Sequence, residues 1–145
     1  MIIQLIIGAI LIALTVVFQA FSFDLIIKKV QWLEKTALRK QKGIWKAAIL
    51  AIVALGVSCV LIVEIWIWGL FYLVIGVMPD LESTLYFSTT TFTTVGYGDV
   101  VLERDWRLLS SIESLNGFLL FGWSTAFIFE IVSRIYRKEG KAIEN

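Results

Sequence analysis

Residues 79–99 read PDLESTLYFSTTTFTTVGYGD, and this stretch decides the fold. Pro79 suits a helix start, and Asp80 and Glu82 follow in the first turn, where the positive end of a helix dipole favours acids. A helix over residues 81–93 has about three turns, too few to cross a hydrocarbon core about 30 Å thick. Gly96-Tyr97-Gly98 then ends regular helix, because glycine opens backbone conformations that helices do not use. Irregular backbone at membrane depth is tolerated only where protein buries it or where it lines a wet cavity. The stretch therefore reads as a re-entrant loop that enters and leaves on one side of a membrane.

The flanking sequence supports that depth. Residues 47–77 carry one charge, Glu64, and residues 108–132 carry Glu113 and Glu130 but no base. Residues 2–23 are apolar except for Gln4, Thr15, Gln19 and Ser22. Each run reaches the roughly 20 helical residues that a span needs. The first run lacks the basic start and small-residue cleavage site of a signal peptide, so it reads as a retained helix. The expected fold is all-α and integral to the membrane: three transmembrane helices plus a re-entrant short helix and loop. Its expected parts are an N-terminal helix over 1–23, a basic segment over 24–46, a central unit over 47–137 and a short tail over 138–145.

Composition agrees and excludes other classes. Hydrophobic residues make up 59% of the 145 and charged ones 17%, more apolar surface than one small soluble core buries. A net charge of +1 offers no field for nucleic acid. There is no histidine, and the single cysteine, Cys59, sits in an apolar run where an inert buried thiol is expected. Zinc sites of the His/Cys type, Ser-His-Asp triads and Cys-His pairs are therefore excluded within one chain. No nucleophile–base pair or resident cofactor is expected, and an enzyme is the least favoured class.

The bases set an expected orientation. Seven of the 13 lie in the stretch that begins at Lys28 and ends at Lys46, and four more are Arg134, Arg137, Lys138 and Lys141. Residues 80–107 hold five acids (Asp80, Glu82, Asp99, Glu103 and Asp105) against Arg104 and Arg107. Basic loops stay cytoplasmic, which places the C-terminus inside and, with three spans, the N-terminus outside a cell membrane. Within 24–46, Ile26, Val30, Leu33 and Ala37 recur at helical spacing among Lys28, Lys29, Lys35 and Arg39, with Trp32 and Trp45 as interface anchors. That pattern is expected to form a basic amphipathic helix on the inner leaflet, where it meets anionic lipid, or else a solvated connector whose charges only set topology.

The seven residues Thr93-Thr94-Val95-Gly96-Tyr97-Gly98-Asp99, set after a short helix and between two spans, resemble the selectivity filter of the tetrameric potassium-channel superfamily. The resemblance covers about 47–137 and leaves the first helix as an addition. It implies a homotetrameric pore, a conductor of K+ with no other cofactor, and ion sites at the carbonyls of Thr94, Val95, Gly96 and Tyr97, with Gly98 completing the filter and the Thr94 hydroxyl closing its inner end. The physical logic is independent of the resemblance. Neutral carbonyl rings replace an ion's hydration without holding it too tightly, and adjacent carbonyls point one way only if the backbone alternates in hand, for which Gly96 and Gly98 are suited. Many members place a tryptophan seven residues before the first filter threonine to donate to the aspartate after the filter, and the best-studied bacterial members place a glutamate four before. Here those positions are Phe87 and Thr90, so Asp99 needs another partner or water, and filter stability is expected to differ.

Further support is expected from Tyr86 and Phe87 as an aromatic cuff, and from the hydroxyls of residues 88–91 and Thr93 bonding backbone near the filter. Glu113 either faces the back of the filter or pairs with Arg104 or Arg107 near the interface. Matched to the family, Leu119, Gly122, Ala126 and Glu130 form one stripe lining the cavity, where a ring of Glu130 carboxylates concentrates cations; the alternative for Glu130 is an ion pair with Arg134. Gly117 and Gly122 are hinge candidates. No helix repeats Arg or Lys every third residue, so no voltage sensor of that type is expected. A non-conducting modulatory subunit and a less selective cation pore stand as the other readings.

Overall fold

The computed structural model describes residues 1–36 and 44–143, with side chains for 1–33 and 46–137. Four helices follow in order: α1 (Ile2–Thr36), α2 (Ile44–Val74), α3 (Leu81–Phe92) and α4 (Arg107–Ile143). No strand occurs among the described residues. Three helices are long and apolar enough to cross a membrane, over Ile2–Leu33, Lys46–Val74 and Arg107–Arg137. The protein is an all-α, multi-pass membrane protein.

α1 corrects one expectation. The boundary at residue 23 falls inside a single helix of 35 residues, about 52 Å long, so residues 24–36 are no separate in-plane helix. No glycine or proline interrupts residues 24–36, and their apolar stripe is taken up by protein: Phe23 and Val30 are buried with Ile49 and Val53 of α2 and Ile131 and Ile135 of α4, with Ile26 packed alongside. Trp32 is exposed beneath the Lys29 ammonium, 5.0 Å from its ring, and Lys28 pairs with Asp24 at 2.6 Å. Ala37, Arg39 and the Trp45 side chain lie outside the described residues. Cys59, expected to be buried, sits on an exposed face of α2.

α2 stops three residues before the end of its apolar run, for a local reason. Gly76 takes φ +73°, its N–H donates to the Leu73 carbonyl at 3.1 Å, and the Val77 N–H donates to the Tyr72 carbonyl at 3.3 Å. This pair of bonds closes the helix end in a Schellman motif. α3 begins at Leu81, and Asp80, expected in the first turn, is instead its cap. The Asp80 carboxylate accepts from the Ser83 N–H at 2.8 Å and the Ser83 hydroxyl at 2.9 Å. Those two donors hold the Asp80 carboxyl below its ordinary 3.8. α4 runs on through the Arg134 cluster as one helix of 37 residues.

The helices pack as a wedge on a pair. α3, about 18 Å long, sits between α2 and α4, while α1 packs on α2 and α4. The core around α3 contains Trp68 and Tyr72 of α2, Phe87 and Phe92 of α3, and Leu109 and Leu120 of α4. α4 passes so close to the end of α3 that a methyl built on Gly117 overlaps the Phe92 carbonyl oxygen, whereas one built on Gly122 meets nothing within 4 Å. Gly117→Ala is therefore expected to destabilise the protein by about 3 kcal/mol, because a backbone must move to admit the methyl. Gly122→Ala changes stability by less than about 1 kcal/mol. Thermal unfolding of the two variants in detergent checks the contrast.

Candidate functional site

The end of α3 hands its carbonyls directly to the loop that follows. Thr93 caps the helix, its N–H donating to the Thr89 carbonyl at 3.1 Å. The Thr94 N–H donates to the Thr91 carbonyl at 3.0 Å, and the Gly96 N–H reaches back to the Thr90 carbonyl at 2.9 Å. From α4, the Ser114 hydroxyl adds a second bond to Thr91, at 3.0 Å. Pinned in this way, the loop alternates: Thr94, Gly96 and Gly98 take φ of +63°, +53° and +78°, while Val95 and Tyr97 between them do not. Glycine adopts that hand freely, but a β-branched threonine does so only where its surroundings impose it. Thr94 is thus a third left-handed position, which its residue type gave no sign of. The Val95 and Tyr97 side chains stay largely uncovered within one chain, at 54% and 72%.

At the outer edge of the loop, the missing donor proves to be the neighbour of the residue expected. The Tyr86 hydroxyl donates to Asp99 Oδ2 at 2.7 Å, and this bond holds the Asp99 carboxyl below its ordinary 3.8. Phe87 points elsewhere: it is buried, with its ring edge-on to Tyr72 of α2 at 5.5 Å. Consecutive helical residues stand about 100° apart, so only one of the two faces the loop. Phe87 is a core residue and Tyr86 the one that supports Asp99. The hydroxyls assigned to the backbone near the filter mostly stay on their own helix. Thr89 donates to Leu85, Thr90 to Phe87 and Thr93 to Thr89, at 2.6, 3.0 and 2.7 Å.

Behind α3, Glu113 of α4 meets neither Arg104 nor Arg107. It is fully buried, accepting from the Tyr72 hydroxyl of α2 at 2.8 Å and the Ser88 hydroxyl of α3 at 2.6 Å. One carboxyl therefore joins α2, α3 and α4, and it bonds α3 and not the loop itself. Ser88 also lies 2.9 Å from the Ile65 carbonyl, so its single proton faces two acceptors. Glu64, by contrast, is fully buried with neither oxygen hydrogen-bonded. Between the loop and the outer part of α4, a cavity of about 330 Å³ is lined by Thr90, Thr94, Gly96, Val101, Ser110 and Ser114 among others. No group of His, Cys, Asp and Glu able to hold a metal ion occurs among the described residues.

A family model described as an ion channel matches residues 59–134, just over half of the chain. The chain belongs to the ion-channel family. The matched region runs from Cys59 in α2 through α3 and the loop to Arg134 in α4, and leaves α1 outside. Neither the curated proteins nor the solved structures provide a match.

In this channel, the α4 residues assigned to the ion pathway share one uncovered side. Leu119, Gly122, Ala126 and Glu130 are all exposed, while Leu120 and Ser124 between them are buried. Glu130 pairs with Arg137 at 3.5 Å and not with Arg134, and both partners are about two-thirds exposed, so the pair is weak. Gly117 is required for the close crossing with Phe92, whereas Gly122 has no such steric duty.

Two outcomes are expected of channel variants. Glu113→Gln keeps an acceptor for the Tyr72 hydroxyl, so it unfolds within about 1 kcal/mol of the parent, whereas Glu113→Leu strands that buried hydroxyl, Ser88 keeping the Ile65 carbonyl, and costs about 2 kcal/mol; thermal unfolding distinguishes them. Because its value is depressed, the Asp99 carboxylate and its bond persist above 3.8 and are lost only as pH falls through the lower, bonded value. Tyr86→Phe removes the hydroxyl, so the acid sensitivity of the current from the Asp99 side moves up toward 3.8, as pH titration of single-channel current reads out.

Proposed function

We propose that this ion channel is selective for potassium and that four copies of the chain assemble around one pathway. Each chain supplies one filter strand, and a cage of carbonyls closes only when several strands face each other, so a cyclic homotetramer follows from one filter per chain. The observation that carries the reading is the alternating backbone of Thr94, Gly96 and Gly98 within Thr-Val-Gly-Tyr-Gly. Alternation of hand turns successive carbonyls the same way, which suits Thr94, Val95, Gly96 and Tyr97 to be the ion sites. Tyr86 and Asp99 brace the outer end, and the Gly96–Thr90 bond ties the filter to its pore helix. The uncovered α4 stripe at Leu119, Gly122, Ala126 and Glu130 is suited to face the pathway below.

The orientation follows the bases, with the N-terminus outside and the basic ends of α1 and α4 in the cytoplasm, where Lys28, Lys29 and Arg134 meet anionic headgroups. K+ is the permeating ion, and its gradient is the only energy source the pathway needs. Recording from the purified protein in liposomes under opposed potassium and sodium gradients tests the proposal. A reversal potential near the potassium equilibrium value, about 59 mV per tenfold gradient, is expected. A reversal near zero, which equal permeabilities produce, overturns selectivity, and absence of current from a tetramer overturns conduction.

A further inference from the structure

α1 lies outside the family match, yet it is joined to α4 by hydrogen bonds deep in the protein. Gln19 Nε2 donates to the Leu120 carbonyl at 3.1 Å and to the Ser124 hydroxyl oxygen at 3.2 Å. One turn along, Asn116 Nδ2 donates to the Thr15 hydroxyl oxygen at 2.8 Å, and Thr15 donates in turn to the Leu11 carbonyl at 3.0 Å. Thr15 and Gln19 are fully buried, and Asn116 is 1% exposed. Four-residue spacing along both helices brings Thr15 and Gln19 of α1 into register with Asn116, Leu120 and Ser124 of α4.

These contacts bracket the part of α4 that is able to bend. In a helix the Leu120 carbonyl is the partner of the Ser124 N–H, so the Gln19 amide is an extra donor to an acceptor already in use. Helices bend where an inserted group takes over a carbonyl released from that ladder. Gly122 lies inside this turn, with open space where a side chain would stand, while Gly117 one turn earlier is pressed against Phe92. The outer half of α4 is held and the inner half has a pivot. Gln19 Oε1 and Asn116 Oδ1 also remain buried without hydrogen-bond partners, at the cost of unpaired polar atoms in this seam.

We propose that α1 is a built-in latch on α4, in which Thr15 and Asn116 anchor the outer half and Gln19, bridging the Leu120 carbonyl and Ser124, sets how far the inner half bends at Gly122. Its effect on conduction rests on α4 being the pore-lining helix proposed above. Nothing outside the chain is needed: the extra helix biases the open-to-closed balance of each subunit from the lipid side of the pore.

The full chain in liposomes tests this with two readouts. Gln19→Leu keeps the bulk of the side chain and removes both donated bonds. Hydrogen–deuterium exchange over residues 118–128 is expected to rise about fivefold or more, with α3 unchanged. In single-channel recordings the ratio of open to closed time shifts by about fivefold or more while the reversal potential stays as in the parent. Ser124→Ala, a milder change, moves both readouts the same way by a smaller factor. Parent-like exchange and parent-like gating in Gln19→Leu overturn the latch, and if that variant does not assemble, the same result in Ser124→Ala overturns it. Should the parent carry no potassium current, the pore proposal fails on that result, and the exchange data alone decide the latch.

Discussion

A lipid interior offers no water to an unpaired backbone group, and each such group costs several kcal/mol. The C-terminal end of α3 is where this constraint bears hardest, because a helix that stops at membrane depth leaves carbonyls open. The chain answers locally: Thr93, Thr94 and Gly96 return their N–H groups to Thr89, Thr91 and Thr90, and Ser114 of α4 adds a second bond to Thr91. These bonds make the loop an extension of the helix end. The left-handed turn at Thr94, costly for a β-branched residue, persists because the bonds on either side of it leave the chain no relaxed alternative.

The helices around α3 are then fastened by few polar groups and many apolar ones. In a membrane the apolar surface does not tell one helix partner from another, since lipid is as good a neighbour, so close packing and buried hydrogen bonds decide who pairs with whom. Glu113 ties α4 to α2 and α3, and Thr15, Gln19, Asn116 and Ser124 tie α4 to α1. Gly117 permits the closest approach, backbone against backbone, where α4 crosses the end of α3. α4 is the member common to both sets of fasteners, so it is the helix most tightly referenced to the rest of the chain. Glu64 stands apart as a buried acid with no hydrogen-bond partner, and its oxygens contribute nothing to this pairing.

What sequence alone determined was whatever depends on short range. Apolar runs of sufficient length specified three spans, the twelve-residue α3 was too short to cross, and Gly96 and Gly98 marked where regular backbone had to end. What it left open or misjudged depends on direction or on distant partners. Whether Tyr86 or Phe87 meets Asp99 is set by a rotation of one residue about a helix whose axis only packing orients. The stripe at Ile26 and Val30 looked like a lipid-facing surface because the pattern of an amphipathic helix is the same whether protein or membrane covers it. Glu113 found Tyr72, 41 residues away, and Gln19 found Ser124, 105 residues away. Periodicity and composition carry the propensity of a segment, but a hydrogen bond needs two groups at one place, and only the packed arrangement of the helices determines which groups those are.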